Sequence, residues 1–552
     1  MSKYASYFST KKTPQSLAIA GTSQVANSAG GFVWQLDNWQ RLERFLILGA
    51  DAGTYYVSAR KLTIDNAQIV VTLLAIDGVK VVQRIVAVST SGRAPNNDPA
   101  IFALAMAAKL GDLATRRAAY AALPQVCRIG THLMHFVQYA EAFGGWGRGM
   151  RKAVASWFND KPAIDLAYQL IKYQARDGWS NRDLLRLAHP RASSPAHDRL
   201  FAWVTKGSSP EVDTLQPDGA TDTARSSSDV MLANVVALRT ADSLTAAVKI
   251  VRDAKLPREA VPTQWLGEAA MWDALLPNMP MTALLRNVAT MTRVGLLQPG
   301  SDATKLVTAQ LGDTARLRKA RVHPLSVLAA LNTYRKGHGV KGSGMWSPVA
   351  AVVDALDAAF YKSFGVVASS GKRMLLALDV SGSMTSGSVA GIAGLTPREA
   401  SAAMALVTAA TERNHEFIGF SAAAGGYGGQ YGGGQSGITK LAISPRQRLD
   451  DVIKTIERVP MGGTDCALPM IWANKQRIDV DTFVIYTDNE TWAGDVHPAQ
   501  ALREYRNARG IPAKLVVVGM TSTGFSIADP DDAGMLDVVG FDTSTPAVIA
   551  DF

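Results

Sequence analysis

The sequence predicts two domains of different classes, a helical domain over residues 1–367 and an α/β doubly wound domain over residues 368–552. The chain has 552 residues, and a single hydrophobic core rarely grows beyond about 250–300 residues. Apolar residues recur at helical spacing between residues 20 and 360. From residue 369 onward, short apolar runs typical of buried parallel strands alternate with helical segments.

Helices are predicted in the first domain at residues 39–48, 100–110, 113–123, 149–158, 164–175, 325–331 and 349–360. Short polar turns join consecutive helices, a pattern that fits stacked antiparallel helices although no fixed-period repeat is clear. The stretch 191–229 is rich in Ser, Pro, Gly and Asp. That composition predicts long loops between helices.

Strands are predicted in the second domain at residues 374–379, 416–420, 482–486 and 514–518, with helices at 398–411, 449–458 and 498–509. Ligands of a doubly wound domain bind at the carboxyl ends of the strands, near the switch in strand order. A Gly-rich segment at 425–437 resembles no phosphate-binding loop, because no Gly-Lys-Ser/Thr and helix start follow it.

Composition excludes several classes of protein. With 47% hydrophobic and 19% charged residues, the chain can build sizeable cores and is not mostly disordered. Cys127 and Cys466 are too few and too distant for a disulfide scaffold or a cysteine-based zinc module, and this usage suits a reducing cytoplasm. The first residues lack the apolar stretch of a secretory signal, and no apolar run reaches the roughly 18–20 residues that span a bilayer. We therefore expect a cytoplasmic protein without a membrane partner.

Positive charge is concentrated in the first domain. Residues 368–552 carry 15 Lys and Arg against 20 Asp and Glu, whereas residues 1–367 carry 42 against 27. Such asymmetry indicates nucleic-acid binding by the helical domain and a different task for the second domain. An ordinary solvated basic surface is the alternative that charge alone leaves open.

Side chains with oxygen ligands cluster in three loops of the second domain. An Asp-x-Ser-x-Ser motif ends the first strand, a Gly-Gly-Thr-Asp segment precedes a helix, and a Thr-Asp-Asn-Glu segment ends a later strand. Carboxylates and hydroxyls are hard ligands that suit Mg²⁺, which prefers near-octahedral oxygen geometry and keeps several waters. The three loops together predict a site for one divalent cation, with a structural turn network as the alternative.

This combination resembles the metal-ion-dependent adhesion site of von Willebrand factor A domains. The resemblance implies that one cation is surrounded by Asp379, Ser381, Ser383, Thr464 and Asp488. It also implies that the carboxylate of a partner supplies the last ligand.

A pair of helices in the first domain, within residues 164–190, carries candidate anion-binding residues. The first helix is predicted to end at Gly178 and to have an apolar face made of Ile164, Ala167, Tyr168, Ile171 and Ala175. Its opposite face carries Gln169, Lys172 and Arg176. A solvated face is the alternative for these polar residues, and the sequence alone leaves both interpretations open.

The second helix of this pair is predicted from Asn181 to about His189, behind a capping box of Ser180 and Asp183. Arg182 and Arg186 lie four residues apart, and like charges at this spacing destabilise an isolated helix. An anion such as phosphate would relieve that repulsion. For His189, a cation at the helix C-terminus is the simpler interpretation.

Longer segments resemble the TROVE-domain family of the Ro autoantigen, in order from about residue 31 to the end of the chain. In the first domain they include GADAGTYYVSARKL, AALPQVCRIGTHL, WGRGMRKAVASWF, GWSNRDLLRLAH, MTALLRN and RVHPLSVLAALNTYRKGHG. In the second domain they include LDAAFYKSFG, GKRMLLALDVSGSM, GGTDCALPMIWA, VIYTDNETWAGDVHPAQALREYR and GFSIADPDDAGMLD. Many substitutions relative to animal members indicate a bacterial or phage-like member.

The resemblance implies a ring of HEAT-like helical repeats closed by the von Willebrand factor A domain. In this family the basic outer surface of the ring binds small structured RNAs called Y RNAs, and single-stranded 3′ ends of misfolded RNAs enter the central hole. Lys172, Arg176 and His189 take the places of family residues that bind RNA. Asn181 departs from the pattern, because animal relatives carry His at this position.

Aromatic and basic residues that could line the hole occur at 146–148, which includes Arg148, and at 53–56. Bases of a single strand gain about 1–3 kcal/mol each by stacking on aromatic rings. In bacterial relatives a Y RNA tethers the ring to polynucleotide phosphorylase, which makes that exoribonuclease a candidate partner. We expect a monomer.

The sequence therefore favours a noncatalytic RNA-binding protein of a small ribonucleoprotein, acting in RNA quality control, decay or ribosomal RNA maturation. A metal-dependent adhesion or protein scaffold with incidental RNA binding is one alternative, which the basic first domain disfavours. A metal-dependent nuclease is another. It is disfavoured because the predicted site lacks a second carboxylate cluster for two-metal chemistry.

Overall fold

The structure is a computed structural model that describes residues 12–49, 67–94, 96–207, 226–320, 322–339, 344–364, 369–386, 389, 395–422, 437–521, 525–539 and 545–552. The helices of the first domain are α1 (Asn38–Leu48), α2 (Gln68–Ser91), α3 (Asp98–Leu110), α4 (Leu113–Val126), α5 (Gly130–Gly144), α6 (Arg148–Asn159), α7 (Ala163–Lys172), α8 (Asn181–Ala188), α9 (Pro195–Lys206), α10 (Ser227–Arg239), α11 (Leu244–Ala254), α12 (Ala269–Leu275), α13 (Met281–Arg293), α14 (Asp302–Gly312), α15 (Thr314–Lys319), α16 (Pro324–Lys336) and α17 (Ala350–Lys362). Short strands there are β1 (Gln24–Ala26), β2 (Phe32–Gln35), β3 (Ala175–Arg176) and β4 (Trp179–Ser180). None of the described helices is long and apolar enough to cross a membrane.

The second domain alternates strands with helices, as predicted. Its strands are β5 (Met374–Asp379), β6 (His415–Phe420), β7 (Ile438–Lys440), β8 (Thr482–Thr487), β9 (Lys514–Gly519), β10 (Phe525–Ser526) and β11 (Met535–Val539). Its helices are α18 (Pro397–Thr411), α19 (Leu449–Glu457), α20 (Leu468–Lys475), α21 (Pro498–Arg509) and α22 (Thr545–Asp551). The Gly-rich segment lies outside the described residues except for Gly437.

The main sheet of the second domain has the order β11-β9-β8-β5-β6-β7 within the described residues. Neighbouring strands are parallel except β7, which runs antiparallel to β6. The chain passes from β5 to β6 on one side and then to β8 on the other, so the strand order switches at β5. This topology confirms the doubly wound class and places the carboxyl ends of β5 and β8 side by side.

Both faces of this sheet are buried, which explains the continuous apolar runs of its strands. Along β5, Leu376 and Leu378 face one core, whereas Leu375 and Ala377 face the other. The second core also contains Trp34 from β2. Since β2 pairs with β10, residues 13–35 pack on the second domain. We call these residues the N-terminal strap.

Many helices of the first domain begin where the sequence supplies a cap. Asp37 begins α1 and Ser226 begins α10, each in a capping box in which the N-cap side chain and the third helical residue exchange hydrogen bonds. Such an N-cap contributes about 1 kcal/mol. Gly49 ends α1 at a φ of +83°, a left-handed conformation that other residues adopt only with strain.

Helices of the first domain pack against their neighbours in succession. In this series α2 packs on α4, α4 on α6, and α6 on α8, and the series continues through α9, α10, α11 and α12. Residues 276–278 then contact α14, α14 packs on α17, and α17 packs on α16. The Nε2 of His323, just before α16, lies 3.2 Å from the carbonyl oxygen of Arg93, just after α2. This contact returns the series to its start, as a ring requires.

The second domain contacts both ends of the helical series. The guanidinium of Arg44 in α1 is 2.5 Å from the carboxylate of Asp537 in β11. At the other end, Arg335 in α16 lies 3.1 Å from Asp450 in α19. The two domains are therefore joined at two places, and the second domain bridges the first and last parts of the helical series.

Three local predictions for the first domain are wrong. The helix predicted over 164–175 ends at Lys172, because a β-hairpin of β3 and β4 follows it. Strands β1 and β2 lie in the region predicted to be helical, and their pairing with β10 is not visible in local sequence. The predicted loop region 191–229 contains α9, which Ser194 caps and Pro195 begins.

Candidate metal centre and anion-binding surface

Four of the predicted metal ligands adjoin at the carboxyl edge of the main sheet. Asp379 ends β5 and Asp488 follows β8, two parallel neighbours whose carboxyl ends meet at one edge. The hydroxyl of Ser383 donates to the Asp488 carboxylate at 2.6 Å and lies 3.0 Å from the hydroxyl of Ser381. The backbone N–H of Ser381 donates to the Asp379 carboxylate at 2.9 Å, so these hydrogen bonds link Asp379 to the other three side chains.

Thr464 lies on the adjoining loop before α20 and is only 3% exposed. Its carbonyl oxygen accepts hydrogen bonds from the backbone N–H groups of Trp492 and Ala493, each at 3.1 Å. These bonds fix the loop of Thr464 against the loop that begins at Asp488. All five predicted ligands are thus in three loops that contact one another.

The two carboxylates of this site are almost completely buried. Asp379 is 1% exposed and Asp488 is 0% exposed. Burial raises the pKa of Asp379 above its ordinary value and raises that of Asp488 to about 8, with a further contribution from the nearby charge of Glu490. Among the described residues, neither carboxylate lies within ion-pair distance of a Lys, Arg or His side chain.

This donor set fits a hard divalent cation. The described part of the chain holds no cluster of three or more His, Cys, Asp and Glu side chains that could bind a metal. A cation at this edge would therefore depend on hydroxyl groups, water and an external ligand, which is the coordination that Mg²⁺ tolerates. The same hydrogen bonds also stabilise the turn network that is the alternative to a cation site.

Candidate anion-binding residues of the first domain surround the β3–β4 hairpin. Asp177 and Gly178 form its two-residue turn with φ values of +53° and +81°, the backbone of a type I′ turn. Gly178 therefore closes a hairpin and does not end a helix. A contact between the imidazole of His135 and the carboxylate of Asp177 holds the turn against α5.

Lys172 is much less accessible than its predicted role as a phosphate ligand suggests. Its side chain is 11% exposed, and its ammonium lies 3.6 Å from the carboxylate of Glu259. The same ammonium lies 5.6 Å and 5.9 Å from the ring centres of Tyr168 and Tyr173. Lys172 is thus surrounded by partners from its own chain.

The predicted apolar face of α7 is partly wrong. Its buried residues are Leu166, Ala167, Leu170 and Ile171. Ile164 is 36% exposed, and Ala175 lies exposed in the hairpin. Ala175 is misplaced because the helix ends at Lys172, and the buried face is centred on Leu166 and Leu170, which turns Ile164 toward solvent.

Other basic candidates are open to solvent. Arg176 is 60% exposed, although its Nε lies 3.6 Å from the Asp177 carboxylate. Arg182 and Arg186 are exposed on α8, and neither forms an ion pair within the described residues. His189 is exposed and caps α8 in a left-handed conformation with a φ of +46°, and its backbone N–H donates to Leu185.

The predicted start of α8 is confirmed. Ser180 and Asp183 form the capping box at its N-terminus. Asn181, which departs from the family pattern, is 4% exposed and donates from its side chain to the carbonyl of Tyr173 at 2.7 Å. This Asn therefore joins α7 to α8 and is not presented to a ligand.

A second basic helix lies beside α8, and the sequence interpretation used only one of its residues. Arg148 begins α6, and Arg151 and Lys152 follow it one turn later, all three exposed. Their spacing of three and four residues puts them on one face, a signal that was available in the sequence. Because α6 packs on α8, we call Arg148, Arg151, Lys152, Arg182 and Arg186 the α6–α8 basic surface.

An aromatic pair adjoins this surface. The rings of Trp146 and Trp179 lie 6.1 Å apart, tilted by 50°. Trp146 is partly buried, and the indole N–H of Trp179 donates to Gln138 at 2.9 Å. The other predicted aromatic segment, 53–56, lies outside the described residues.

Comparison with known proteins relates both domains to one family. The family model of the TROVE domain matches residues 25–230 and 247–336, and that of the Ro60 vWA domain matches residues 373–552. The chain is 43% identical over 531 residues to "RNA-binding protein RO60" of Deinococcus radiodurans, covering 96% of this chain and 95% of the relative. It is 34% identical over 608 residues to "RNA-binding protein RO60" of Caenorhabditis elegans, covering 98% and 92%.

A solved structure supports the same relationship. The crystal structure of the Deinococcus radiodurans RO (RSR) protein matches with a TM-score of 0.69 and 42% sequence identity. The match covers 93% of this chain and 99% of that chain.

Proposed function

This chain belongs to the Ro60 family of TROVE-domain proteins, and we propose that it is a noncatalytic RNA-binding protein of a small ribonucleoprotein. Two relatives that match almost their full length are named as RNA-binding proteins. The observation that carries the proposal in this chain is the α6–α8 basic surface. Its arginines have no carboxylate partner within the described residues, as expected of side chains that bind phosphate.

We place structured RNA on the outside of the ring. A-form helices are recognised mainly through phosphates and 2′-hydroxyls, for which exposed arginines on adjacent helices suffice. Arg176 and His189 extend the same region near α8, and a Y RNA is the structured ligand that the family suggests. Single-stranded 3′ ends of misfolded RNA would enter the ring, in RNA quality control, decay or ribosomal RNA maturation.

Gel-shift titration with three ligands tests this proposal. The ligands are a small hairpin RNA, the same hairpin with a single-stranded 3′ tail, and a polyphosphate of equal charge. We expect both RNAs to bind more tightly than polyphosphate at 150 mM salt, and the tailed RNA to bind most tightly. Equal affinity for all three would instead favour a protein scaffold with incidental RNA binding.

The second domain is proposed to bind one divalent cation, with Mg²⁺ as the first candidate. Asp379, Ser381, Ser383, Thr464 and Asp488 would hold it, and the bound cation would offer an open position to the carboxylate of a partner. The buried carboxylates support this, because a cation would offset the cost of burying their charge.

We further propose that the protein acts as a cytoplasmic monomer and that polynucleotide phosphorylase is reached through a bound Y RNA.

Calorimetric titration with Mg²⁺ tests the cation site. Asp379→Ala should weaken Mg²⁺ binding at least tenfold, whereas the affinity for hairpin RNA should stay within twofold. Loss of RNA affinity in a folded variant would show that the two tasks are not separate.

Labelled RNA incubated with the protein and Mg²⁺ should remain intact, and cleavage that disappears in Asp379→Ala would contradict the noncatalytic proposal.

A further inference from the structure

The N-terminal strap contacts the loops of the candidate cation site. The strap folds back on itself, since the backbone N–H of Phe32 donates to the carbonyl of Gln15 at 2.8 Å. The backbone N–H of Gln15 in turn donates to the carbonyl of Gly494 at 2.9 Å. A segment more than 450 residues away in sequence thus lies directly on the loop that follows β8.

The side chain of Gln15 joins two of the three ligand loops. It is completely buried, and its amide nitrogen donates to the carboxylate of Asp465 at 2.7 Å and to the carbonyl of Val496 at 2.9 Å. Its amide oxygen accepts a hydrogen bond from the hydroxyl of Thr491. Asp465 is adjacent to Thr464, and Thr491 lies three residues after Asp488.

Thr491 extends this connection. Its hydroxyl donates to Gln15 and also accepts from the backbone N–H of Cys466 at 3.1 Å. The hydroxyl is therefore satisfied only when the strap and both loops are in place. Removing the amide of Gln15 would leave buried polar groups in two loops without a partner, which is costly.

Three further strap residues hold the loop after Asp488. The side chain of Asn27 donates to the carbonyl of Thr491 at 2.9 Å, and Ser28 and the backbone N–H of Ala29 donate to the carboxylate of Glu490. At Gly31 the backbone is so close that an added Cβ would lie 1.9 Å from the carbonyl oxygen of Thr491. Only glycine permits this approach.

We propose that the strap is a positioning element of the cation site, with Gln15 as its central residue. A metal site needs ligands held within about 0.5 Å of their productive geometry by a supporting layer of hydrogen bonds. Ser381 bonds within its own loop and Ser383 also bonds to Asp488, whereas Thr464 and Asp488 lie on loops that Gln15 ties together. The inference rests on the cation site proposed above.

Gln15→Met tests this role because it keeps the side-chain volume and removes the three hydrogen bonds. The control is Gln24→Met, in another strap glutamine whose side chain contacts Ile19, Phe32 and His497 at the far end of the loop after β8, but neither Asp465 nor Thr491. In Mg²⁺ calorimetry, Gln15→Met should raise the Kd at least tenfold, and Gln24→Met should change it less than twofold. Equal Kd values for wild type and Gln15→Met would overturn the proposal.

Hydrogen exchange gives a second measurement that needs no cation. Gln15→Met should accelerate exchange of the amides at residues 464–466 and 488–493, and Gln24→Met should not. Ser28→Ala, at an exposed position that folding should tolerate, should accelerate exchange near Glu490 to a smaller extent. Unchanged exchange in both Gln15→Met and Ser28→Ala would overturn the positioning role. A wild-type protein that binds no Mg²⁺ but shows the expected exchange pattern would refute the cation site alone.

Discussion

Two basic residues that the sequence predicts on one polar helix face, Lys172 and Arg176, have different environments in the structure. Lys172 ends α7, whereas Arg176 lies in β3. Lys172 is enclosed by two tyrosines and paired with Glu259, whereas Arg176 is 60% exposed in the hairpin. Only the exposed guanidinium can exchange its hydration for a phosphate at little cost.

We therefore expect Arg176→Ala to weaken binding of hairpin RNA and to lower the slope of log affinity against log salt by roughly 0.7–0.9, the effect of one lost phosphate contact. Lys172→Ala should leave that slope unchanged. Binding measured between 50 and 250 mM salt distinguishes the two. A larger slope change in Lys172→Ala would mean that RNA displaces Glu259 from its lysine.

His132 in α5 predicts a pH dependence of stability. Burial lowers its pKa from 6.5 to about 4, helped by the nearby charge of Arg128, while Asp98 opposes the shift. Because the folded-state pKa lies below the unfolded one, the unfolded chain takes up the proton first. The stability that the neutral His132 contributes is fully present above pH 6.5 and is lost as the pH falls toward 4.

Urea unfolding at pH 7 and pH 5 measures this effect against His132→Gln, which stays neutral. Between pH 7 and pH 5, the free energy of unfolding of the wild type should fall by about 2 kcal/mol more than that of the variant. Parallel losses in both proteins would show that other groups cause the acid sensitivity.

At the scale of elements, the packing of α6 on α8 makes a surface from residues far apart in sequence. Arg182 and Arg186 repel each other on α8, and α6, which packs on α8, adds three more exposed cations. Repulsion of this kind persists in the free protein and is relieved by a polyanion.

Arg182→Gln with Arg186→Gln should therefore weaken hairpin RNA binding and slightly stabilise the free protein, by a few tenths of a kcal/mol. The salt slope should fall by roughly 1.4–1.8 for two phosphate contacts. Gel shifts and thermal unfolding of the same preparation measure both effects. Arg252→Gln, on an exposed arginine that already pairs with Asp273, serves as the matched control and should change neither.

At the scale of the whole molecule, the second domain bridges the two ends of the helical series. The guanidinium of Arg44 is buried between α1 and β11, where it contacts Asp537 and the carbonyl of Phe525. Removing one partner of a buried pair costs about 3–5 kcal/mol, because the other charge stays buried.

Arg44→Met should therefore loosen the closure between the domains. If the closed ring shapes the path of a single strand, this variant should weaken binding of the tailed RNA more than that of the tailless hairpin. Gel shifts with the two RNAs of the proposed test measure the ratio of affinities. Equal losses for both would mean that the closure does not affect the single-stranded site.

The sequence by itself determined the class of each domain, half of the described helices, the strands β5, β6, β8 and β9, and the edge of the sheet where oxygen ligands meet. These features follow from local periodicity and from the rule that parallel strands end at one edge, so nearby residues suffice to predict them. The capping box of α8 was predictable for the same reason, since its partners lie three residues apart.

Only the tertiary structure decided which polar residues are exposed to a ligand and which contacts support the loops of the candidate cation site. The pairing of Lys172 with Glu259 spans 87 positions, and Gln15 meets Asp465 across 450. Neither contact leaves a periodic signal, because each depends on where distant elements are placed by packing. Burial of Asn181 was missed for the same physical reason, since a side chain's exposure is a property of the assembled fold and not of its neighbours in the chain. The hairpin after α7 is different, because its Asp-Gly turn is a local signal that the sequence contains.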